Sequence, residues 1–176
     1  MDRMKDQDIL LENRRLIYDF ILRNPGSHQR KIERDLNINA GTLRYHLRYM
    51  EKERIITTRK EKNLKVYFVA GKLGASKKTI LSLLQQKRFR DIILSIINTP
   101  GSTHKEMADK LSLKPSTLSK YIRVLEERGV VRHERRGRER HLYIDNEREI
   151  MNLLLAYKPS FWDSAIDNML HAYFER

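Results

Sequence analysis

The feature that most constrains this chain is an internal repeat with a period of 75 residues. The tripeptide Pro-Gly-Ser occurs at 25–27 and again at 100–102. A turn that recurs by chance would not keep its register on both sides, so the repeat indicates two copies of one folding unit. Identical pairs beyond the tripeptide include Leu36/Leu111, Thr42/Thr117, Leu43/Leu118, Arg48/Arg123 and Glu51/Glu126.

Each copy contains three helical patterns followed by a hairpin pattern. In the first copy, apolar residues recur at helical spacing over 11–24 and stop at the Pro-Gly pair. Segment 29–36 predicts a short helix, and segment 39–54 predicts a longer one after a tight connection. Two β-prone runs around the polar residues 60–63 predict a hairpin.

The second copy has the same order of elements and clearer end signals. Thr103 and Glu106 have capping-box spacing at the start of its second helix. Pro115 suits the first position of the third helix, and Gly129 suits its end. Gly137 lies at the tip of the predicted hairpin.

The charge of the chain is strongly positive and unevenly distributed. Its 36 Lys and Arg outnumber 23 Asp and Glu, which gives a net charge of +13. Residues 1–75 hold 17 cations against 10 anions, residues 76–145 hold 16 against 8, and residues 146–176 hold 3 against 5. This balance favours a polyanionic partner for both copies, nucleic acid first and an acidic membrane surface second. The mildly acidic end predicts a different role.

Several classes of protein are disfavoured by what the sequence lacks. With no cysteine, disulfides, thiolate metal sites and thiol catalysis are excluded. The N-terminus is too charged for a signal peptide and no apolar run approaches ~18 residues, so we expect a cytoplasmic protein with no membrane partner. His133 and His141 lie on opposite arms of one hairpin without a Cys or carboxylate partner. We therefore expect no enzyme activity, no cofactor and no metal.

Two motifs, AGTLRYHLRYMEKERII (40–56) and KPSTLSKYIRVLEERGVV (114–131), each follow a short helix and precede a hairpin. Two short helices joined by a tight turn form a helix-turn-helix. The first motif resembles the ArsR and related regulators, and the second is similar to the MarR/ArsR group. The tandem arrangement with a helical tail resembles two-domain transcription regulators of archaea. The resemblance covers residues 10–145. It implies sequence-specific binding of double-stranded DNA and control of transcription initiation, with the transcription machinery as a further partner.

We therefore expect a mostly α (α+β) fold with small β-hairpin wings. A first winged helix-turn-helix domain is expected at 1–70, a glycine-containing linker at 71–77, a second domain at 78–145 and a C-terminal helical tail at 146–176. Residues 79–91 are expected to extend the first helix of the second domain backwards.

The third helix of each copy is the predicted recognition helix. On a helical wheel of 40–54, the side opposite the apolar face is basic and aromatic. The N-terminal part of such a helix enters the major groove, where Arg reads guanine and a Tyr hydroxyl more often holds phosphate. The second copy has smaller side chains there, which predicts different bases. The predicted DNA contacts are Thr42, Arg44, Tyr45 and Arg48, and Ser116, Thr117, Ser119, Lys120 and Arg123.

The hairpins, or wings, add further cations that suit phosphates or a minor groove. Arg138, beside the glycine of the wing tip, is the expected minor-groove contact because Arg suits a narrow, electronegative groove. His46 lies at the edge of the apolar face and is expected to be packed and hydrogen-bonded rather than to touch DNA. The predicted wing contacts are Lys60 and Lys62 in the first copy and Arg135, Arg136 and Arg138 in the second.

The tail carries an apolar stripe and a net negative charge, which argues against DNA. It is expected either to pack on the winged domains or, as we favour, to form a homodimer or partner contact, since Trp is enriched at interface centres. Its predicted contact residues are Trp162, Ile166, Met169, Leu170 and Tyr173.

One alternative function stays open at this point, a tandem winged-helix module that binds RNA or assembles a protein complex. A protein-binding copy would have a neutral or apolar recognition face, whereas both copies here are cationic. The deep A-form groove excludes a recognition helix, but phosphate contacts by themselves do not separate RNA from DNA.

Overall fold

The computed structural model describes residues 2–61, 63–161, 170 and 173, with side chains from Leu10 onward. The chain divides into two compact units, Met1–Ser82 and Leu83–Arg176. Four predicted contact residues, Lys62, Trp162, Ile166 and Met169, lie outside the described part.

The first unit contains three helices, a small sheet and most of a fourth helix. The helices are α1 (Asp2–Arg23), α2 (Gln29–Leu36) and α3 (Ala40–Lys52), and α4 (Ala75–Leu84) follows the sheet. The strands β1 (Ser27–His28), β2 (Ile56–Glu61) and β3 (Leu64–Val69) pair antiparallel in the order β1-β3-β2.

The second unit repeats this order. Its helices are α5 (Lys87–Asn98), α6 (His104–Lys110), α7 (Pro115–Glu127) and α8 (Glu147–Ala156), with a 3-10 turn at Lys158–Phe161. The strands β4 (Ser102–Thr103), β5 (Val131–Arg136) and β6 (Glu139–Ile144) pair antiparallel in the order β4-β6-β5. The predicted fold class, mostly α with small hairpin wings, is confirmed.

The 75-residue repeat also holds in the core and in the backbone. Asn37 and Ser112 both end their second helix in the left-handed region, at φ 51°. Equivalent backbone bonds close both sheets, from Ala70 N–H to Ile55 C=O and from Asp145 N–H to Val130 C=O. The paired core residues are Ile17/Ile92, Ile32/Met107, Leu43/Leu118, Leu47/Ile122 and Met50/Leu125, and all are at most 2% exposed.

The Pro-Gly-Ser turn joins the first helix of each unit to the sheet. Gly26 and Gly101 have φ of 83° and 81°, a conformation that costs a side-chain-bearing residue about 1–2 kcal/mol. Their N–H groups donate to the third strand, at 2.9 Å to the Tyr67 carbonyl and 2.8 Å to the Leu142 carbonyl. The turn therefore ends a helix and aligns the short strand that follows it.

The expected backward extension of the second unit's first helix is wrong. The chain leaves the helix after Leu84 and starts α5 at Lys87. Arg90 is 8% exposed and its Nη1 donates to the Leu84 carbonyl at 2.7 Å, which satisfies an acceptor that the break releases. The boundary between the compact units lies after Ser82, within α4.

A fourth helix follows each wing, and the sequence reading missed this correspondence. Residues 79–84 read TILSLL in α4, and residues 149–154 read EIMNLL in α8. Ile80, Leu81, Ile150 and Met151 are all at most 5% exposed. The offset between these helices is 70 residues, shorter than the main period because the loop after the second wing is shorter. The first part of the tail is therefore a core helix.

His46 is packed as expected, but the expected hydrogen bond is absent. Its side chain is fully buried, and both ring nitrogens lack a partner within the described part of the chain. Burial, with the nearby Arg14 charge, lowers the pKa of His46 below its usual 6.5. The equivalent residue of the second unit is Tyr121, whose ring meets Phe89 edge-on at 5.0 Å.

Replacing Gly26 or Gly101 by Ala is expected to destabilise the protein by about 1–2 kcal/mol through the positive φ. A Cβ at Gly26 would also lie 3.3 Å from the Ser82 Cα. Gly74→Ala is the control, because a Cβ there meets nothing within 4 Å. Urea unfolding measures the free energy of unfolding of each variant and of the control. Equal stability of G26A, G101A and G74A would contradict the role of the turn.

Stability is expected to fall as the pH drops below about 6.5, because the unfolded His46 imidazole takes up a proton that the folded one resists. His46→Leu should reduce this loss between about pH 7.5 and about pH 5. It should also stabilise the protein near neutrality by about 1 kcal/mol, since two unsatisfied buried nitrogens disappear. The equivalent Tyr121→Leu variant should keep the wild-type pH dependence in chemical unfolding.

Candidate nucleic-acid interface

The recognition helix of the first unit, α3, exposes the side that the sequence predicted. Thr42, Arg44 and Arg48 are exposed, and Tyr45 is 53% exposed. The Asn39 side chain caps the helix by accepting from Gly41 N–H at 2.8 Å. Leu43, Leu47 and Met50 are buried on the opposite side, so the cationic side is free for a ligand.

A neighbouring aromatic residue on α3 was not among the predicted contacts. Tyr49 is 36% exposed, and the Arg14 guanidinium lies 3.7 Å from its ring centroid. This stacking fixes the ring beside Tyr45 and Arg48. The signal in the sequence was the spacing of two Tyr residues one helical turn apart.

The recognition helix of the second unit, α7, exposes smaller side chains. Ser116, Ser119, Lys120 and Arg123 are exposed, and Thr117 is half-buried. Arg123 Nε lies 3.7 Å from Glu127 Oε1, one turn along the helix, with both side chains well exposed. Such surface pairs contribute little and leave the guanidinium able to meet another anion.

The cations of the first wing have different partners. Arg59 donates to Thr79 Oγ1 at 2.7 Å and lies 3.3 Å from the Glu61 carboxylate. Lys65 Nζ donates to Glu51 Oε2 at 2.7 Å, and this bond, with a second from Thr58, holds the pKa of Glu51 below its usual value. Lys60 is exposed.

The second wing is richer in exposed Arg. Arg135, Arg136 and Arg138 are exposed, and Arg136 lies 3.7 Å from Glu134 and 5.9 Å from the Tyr143 ring centroid. Arg132 forms ion pairs with Glu134 and, at 3.0 Å, with Asp145. The predicted contacts therefore lie towards the tip, and Arg132 supports the base of the wing.

Both wings place like charges directly opposite each other at the same position. Lys60 pairs with Lys65 in the first sheet, and Arg135 pairs with Arg140 in the second. Like charges at directly opposed strand positions repel and destabilise a sheet. In the first wing the ion pair between Lys65 and Glu51 offsets part of this repulsion, and in the second wing Arg140 lines a cleft of the second unit.

The second unit brings its recognition helix and wing together in a cleft of about 740 Å³. Two predicted contacts, Ser119 and Arg138, line it from the two elements. His104, Lys105 and Arg140 also line it, and the sequence reading had not selected them as contacts. Burial lowers the pKa of His104 below its usual value, which favours the neutral imidazole. The remaining lining residues are Thr103, Glu106, Asp109 and Glu139.

The two wing histidines that could approach each other have separate partners. His133 Nδ1 lies 2.7 Å from Glu126 Oε1, and His141 Nδ1 lies 2.6 Å from the Gly101 carbonyl oxygen. In the part of the chain that the structure describes, no group of three or more His, Cys, Asp or Glu could hold a metal ion. Within the same residues, every helix is too short or too polar to cross a membrane.

The two predicted tail contacts that the structure describes differ in exposure. Leu170 is 5% exposed and Tyr173 is half-buried. Ser160, before them, is 8% exposed, and its hydroxyl oxygen accepts a hydrogen bond from the Gln85 amide Nε2 at 2.5 Å. Leu170 is therefore buried within the single chain.

Comparison with known proteins gives one match for each copy. A family model described as an N-terminal HTH domain matches residues 11–81, and one described as winged helix-turn-helix DNA-binding matches residues 90–132. A curated relative from Methanocaldococcus jannaschii, named as an uncharacterized HTH-type transcriptional regulator, is 31% identical over 143 residues. That similarity covers 81% of this chain and 36% of the relative, so this chain spans about a third of the relative's length.

The two family matches fall on the two structural units, and each unit has the three helices and hairpin of this fold. The predicted tandem arrangement is confirmed. The chain is a tandem winged helix-turn-helix protein.

Proposed function

We propose that this protein is a transcription regulator that binds double-stranded DNA through both winged helix-turn-helix units. The observation that carries the proposal is the repeated placement of cations. Each unit exposes Arg on its recognition helix, and each wing sets two cations opposite each other at the same register. A polyanion with regularly spaced charges suits this repeated arrangement. In the first wing Glu51 already pairs with Lys65, and Lys60 is the cation that stays exposed.

The matched family description and the relative's name support the same role. One family model is described as DNA-binding, and the relative is named as a transcriptional regulator. Within the proposal, the DNA-reading elements lie within residues 1–70 and 78–145, and the segment 71–77 between them runs into α4, which begins at Ala75. Regulation of transcription would follow from occupying a DNA site near a promoter.

The proposal gives each recognition helix a place in the major groove. Arg48 and Arg123 occupy equivalent exposed positions and are the candidates for reading guanine, with Thr42 and Thr117 nearer the helix starts. Tyr45, with its hydroxyl at the end of a rigid ring, is a candidate for a phosphate contact. The replacement of Arg44 and Tyr45 by Ser119 and Lys120 suits two half-sites of different sequence.

The wings have a different proposed target, the phosphates or the minor groove beside each major-groove contact. Lys60 in the first wing and Arg135 and Arg136 in the second are exposed and suit phosphates. Arg138 follows Gly137, which has φ of 62° and no Cβ, so the tip is narrow. A narrow tip with an Arg suits the minor groove.

Replacing Arg48 or Arg123 by Ala is expected to weaken binding to a selected site by about 1–3 kcal/mol and to relax base preference. Arg138→Ala should weaken binding to all sequences more evenly. Sites are first obtained by selection from a random duplex library, and affinities are then measured on selected and random DNA.

Lys72→Ala is the control, because Lys72 is exposed in the loop between β3 and α4. Equal losses on selected and random DNA would assign Arg48 and Arg123 to phosphate contacts. A wild-type affinity that barely changes between about 50 and 200 mM salt would contradict DNA binding itself. Preference for duplex RNA in competition would favour the RNA alternative.

We further propose that the chain beyond Phe161 mediates self-association or a partner contact. The support is its sequence, an apolar stripe that contains Trp162 in a region of net negative charge. The core position of Ile150 and Leu154, both fully buried, separates this segment from α8. A truncation that tests the contact must therefore leave α8 in place.

Removal of residues 162–176 is expected to halve the mass measured by light scattering if the stripe forms a homodimer. Removal of residues 174–176 alone, which keeps the stripe, is the control and should preserve the mass. An unchanged mass after the longer deletion, with the fold retained in circular dichroism, would exclude the homodimer.

A further inference from the structure

The second helices of the two units carry opposite charges at equivalent positions. Lys31 of α2 corresponds to Glu106 of α6, and Arg34 corresponds to Asp109. Arg30 and Lys105 keep the same sign. At 100° per residue these three positions fall within one 100° sector of each helix. The two changes in the sign of the charge therefore lie on a single helix face.

That face of α6 lies on the cleft of the second unit. Lys105, Glu106 and Asp109 line the cleft together with Ser119 of the recognition helix and Arg138 of the wing. The same core pairs fix the second helix in both units, with Ile32 and Met107 fully buried. The cationic face of α2 therefore has the equivalent position beside α3 in the first unit.

The Glu106 carboxylate on α6 is held in its charged form. Glu106 accepts from the Thr103 backbone N–H at 2.8 Å and from its hydroxyl at 3.0 Å, and these bonds hold the pKa of Glu106 below its usual value. Asp109 is exposed. Two carboxylates on this side of the cleft repel a phosphate backbone that approaches it.

The cations on α2 are accessible. Arg30 is exposed, and the Arg34 side chain is 74% exposed. Arg34 Nε lies 2.8 Å from Asp35 Oδ1. This neighbouring pair is at the surface, where solvent screening makes it weak, and a guanidinium has further N–H donors for a phosphate.

The wings show the reverse distribution. Glu61 and Asn63 of the first wing correspond to Arg136 and Arg138 of the second. Glu61 lies 3.3 Å from Arg59 within the first unit, whereas Arg136 and Arg138 are both exposed. The unit with a cationic second helix thus has a wing with fewer cations near its tip, and the unit with an anionic second helix has a cationic tip.

We infer that the two units hold the DNA with different elements, the first with Arg30 and Arg34 of α2 on phosphates and the second with its wing, where Arg136 meets a phosphate beside the minor-groove contact of Arg138. Glu106 and Asp109 keep the backbone away from α6. This inference rests on the proposed DNA-binding function. It assigns Arg30 and Arg34 as phosphate contacts and makes the backbone footprint of the two units unequal.

The test measures the salt dependence of affinity for a random-sequence DNA duplex with the full-length chain. Each phosphate contact contributes about 0.9 to the slope of log affinity against log salt. Arg34→Asp and Arg136→Ala are each expected to lower the slope by about 0.9 and to weaken binding. Asp109→Arg is expected to raise the slope by about 0.9 and to tighten binding.

Two control variants change the charge by the same amount away from these faces. Lys72→Asp matches the loss at Arg34, and Glu12→Arg, at an exposed position of α1, matches the gain at Asp109. Both controls should change the slope by less than half as much as their matched variants. Tighter binding by D109R cannot result from misfolding, so this variant remains informative if R34D folds poorly.

The outcomes separate the inference from the function on which it rests. A steep salt dependence of the wild type, with R34D equal to K72D or D109R equal to E12R, would overturn the inference and leave DNA binding intact. A flat salt dependence of the wild type would instead overturn the proposed function.

Discussion

The rest of each unit depends on one backbone hydrogen bond, from a glycine N–H to the third strand. Gly26 donates to Tyr67 and Gly101 donates to Leu142. The left-handed conformation at glycine turns the chain sharply, so that the end of the first helix is tied to the sheet that carries the wing. The second and third helices pack against that frame through fully buried residues such as Leu43 and Leu118. In the second unit the recognition helix and the wing consequently line one cleft.

On this shared frame the two units differ in polar positions. Arg14, His46 and Tyr49 in the first unit correspond to Phe89, Tyr121 and Val124 in the second. The first unit therefore has, on its recognition helix, a buried imidazole without a hydrogen-bond partner among the residues that the structure describes, whereas the second has an edge-on aromatic pair. Buried polar groups without partners reduce stability. The two units thus share one arrangement of helices and strands, but their recognition helices differ in buried neighbours and in exposed side chains.

Much of the fold was predictable because its signals are local. The capping box at Thr103 and Glu106 formed as expected, and Pro115 starts α7. The exposed side of α3 followed from helical periodicity, which places Tyr45 and Arg48 opposite the apolar side of Leu43, with Arg44 at the flank. The break between α4 and α5 was missed, since the sequence 79–91 keeps helical character throughout and the acceptor released at Leu84 is satisfied only by the folded position of Arg90.

The sequence by itself determined the duplication, the order of elements in each copy, the cationic character of both copies and the exposed side of each recognition helix. These follow from spacing along the chain, where periodicity and end signals act within a few residues. Only the tertiary structure decided that Ser119, Lys105 and Arg138 share one cleft, that Lys60 and Arg135 face like charges, and that α8 is a core helix. Those relations join residues distant in sequence, and they depend on strand register and on packing against the sheet rather than on local propensity.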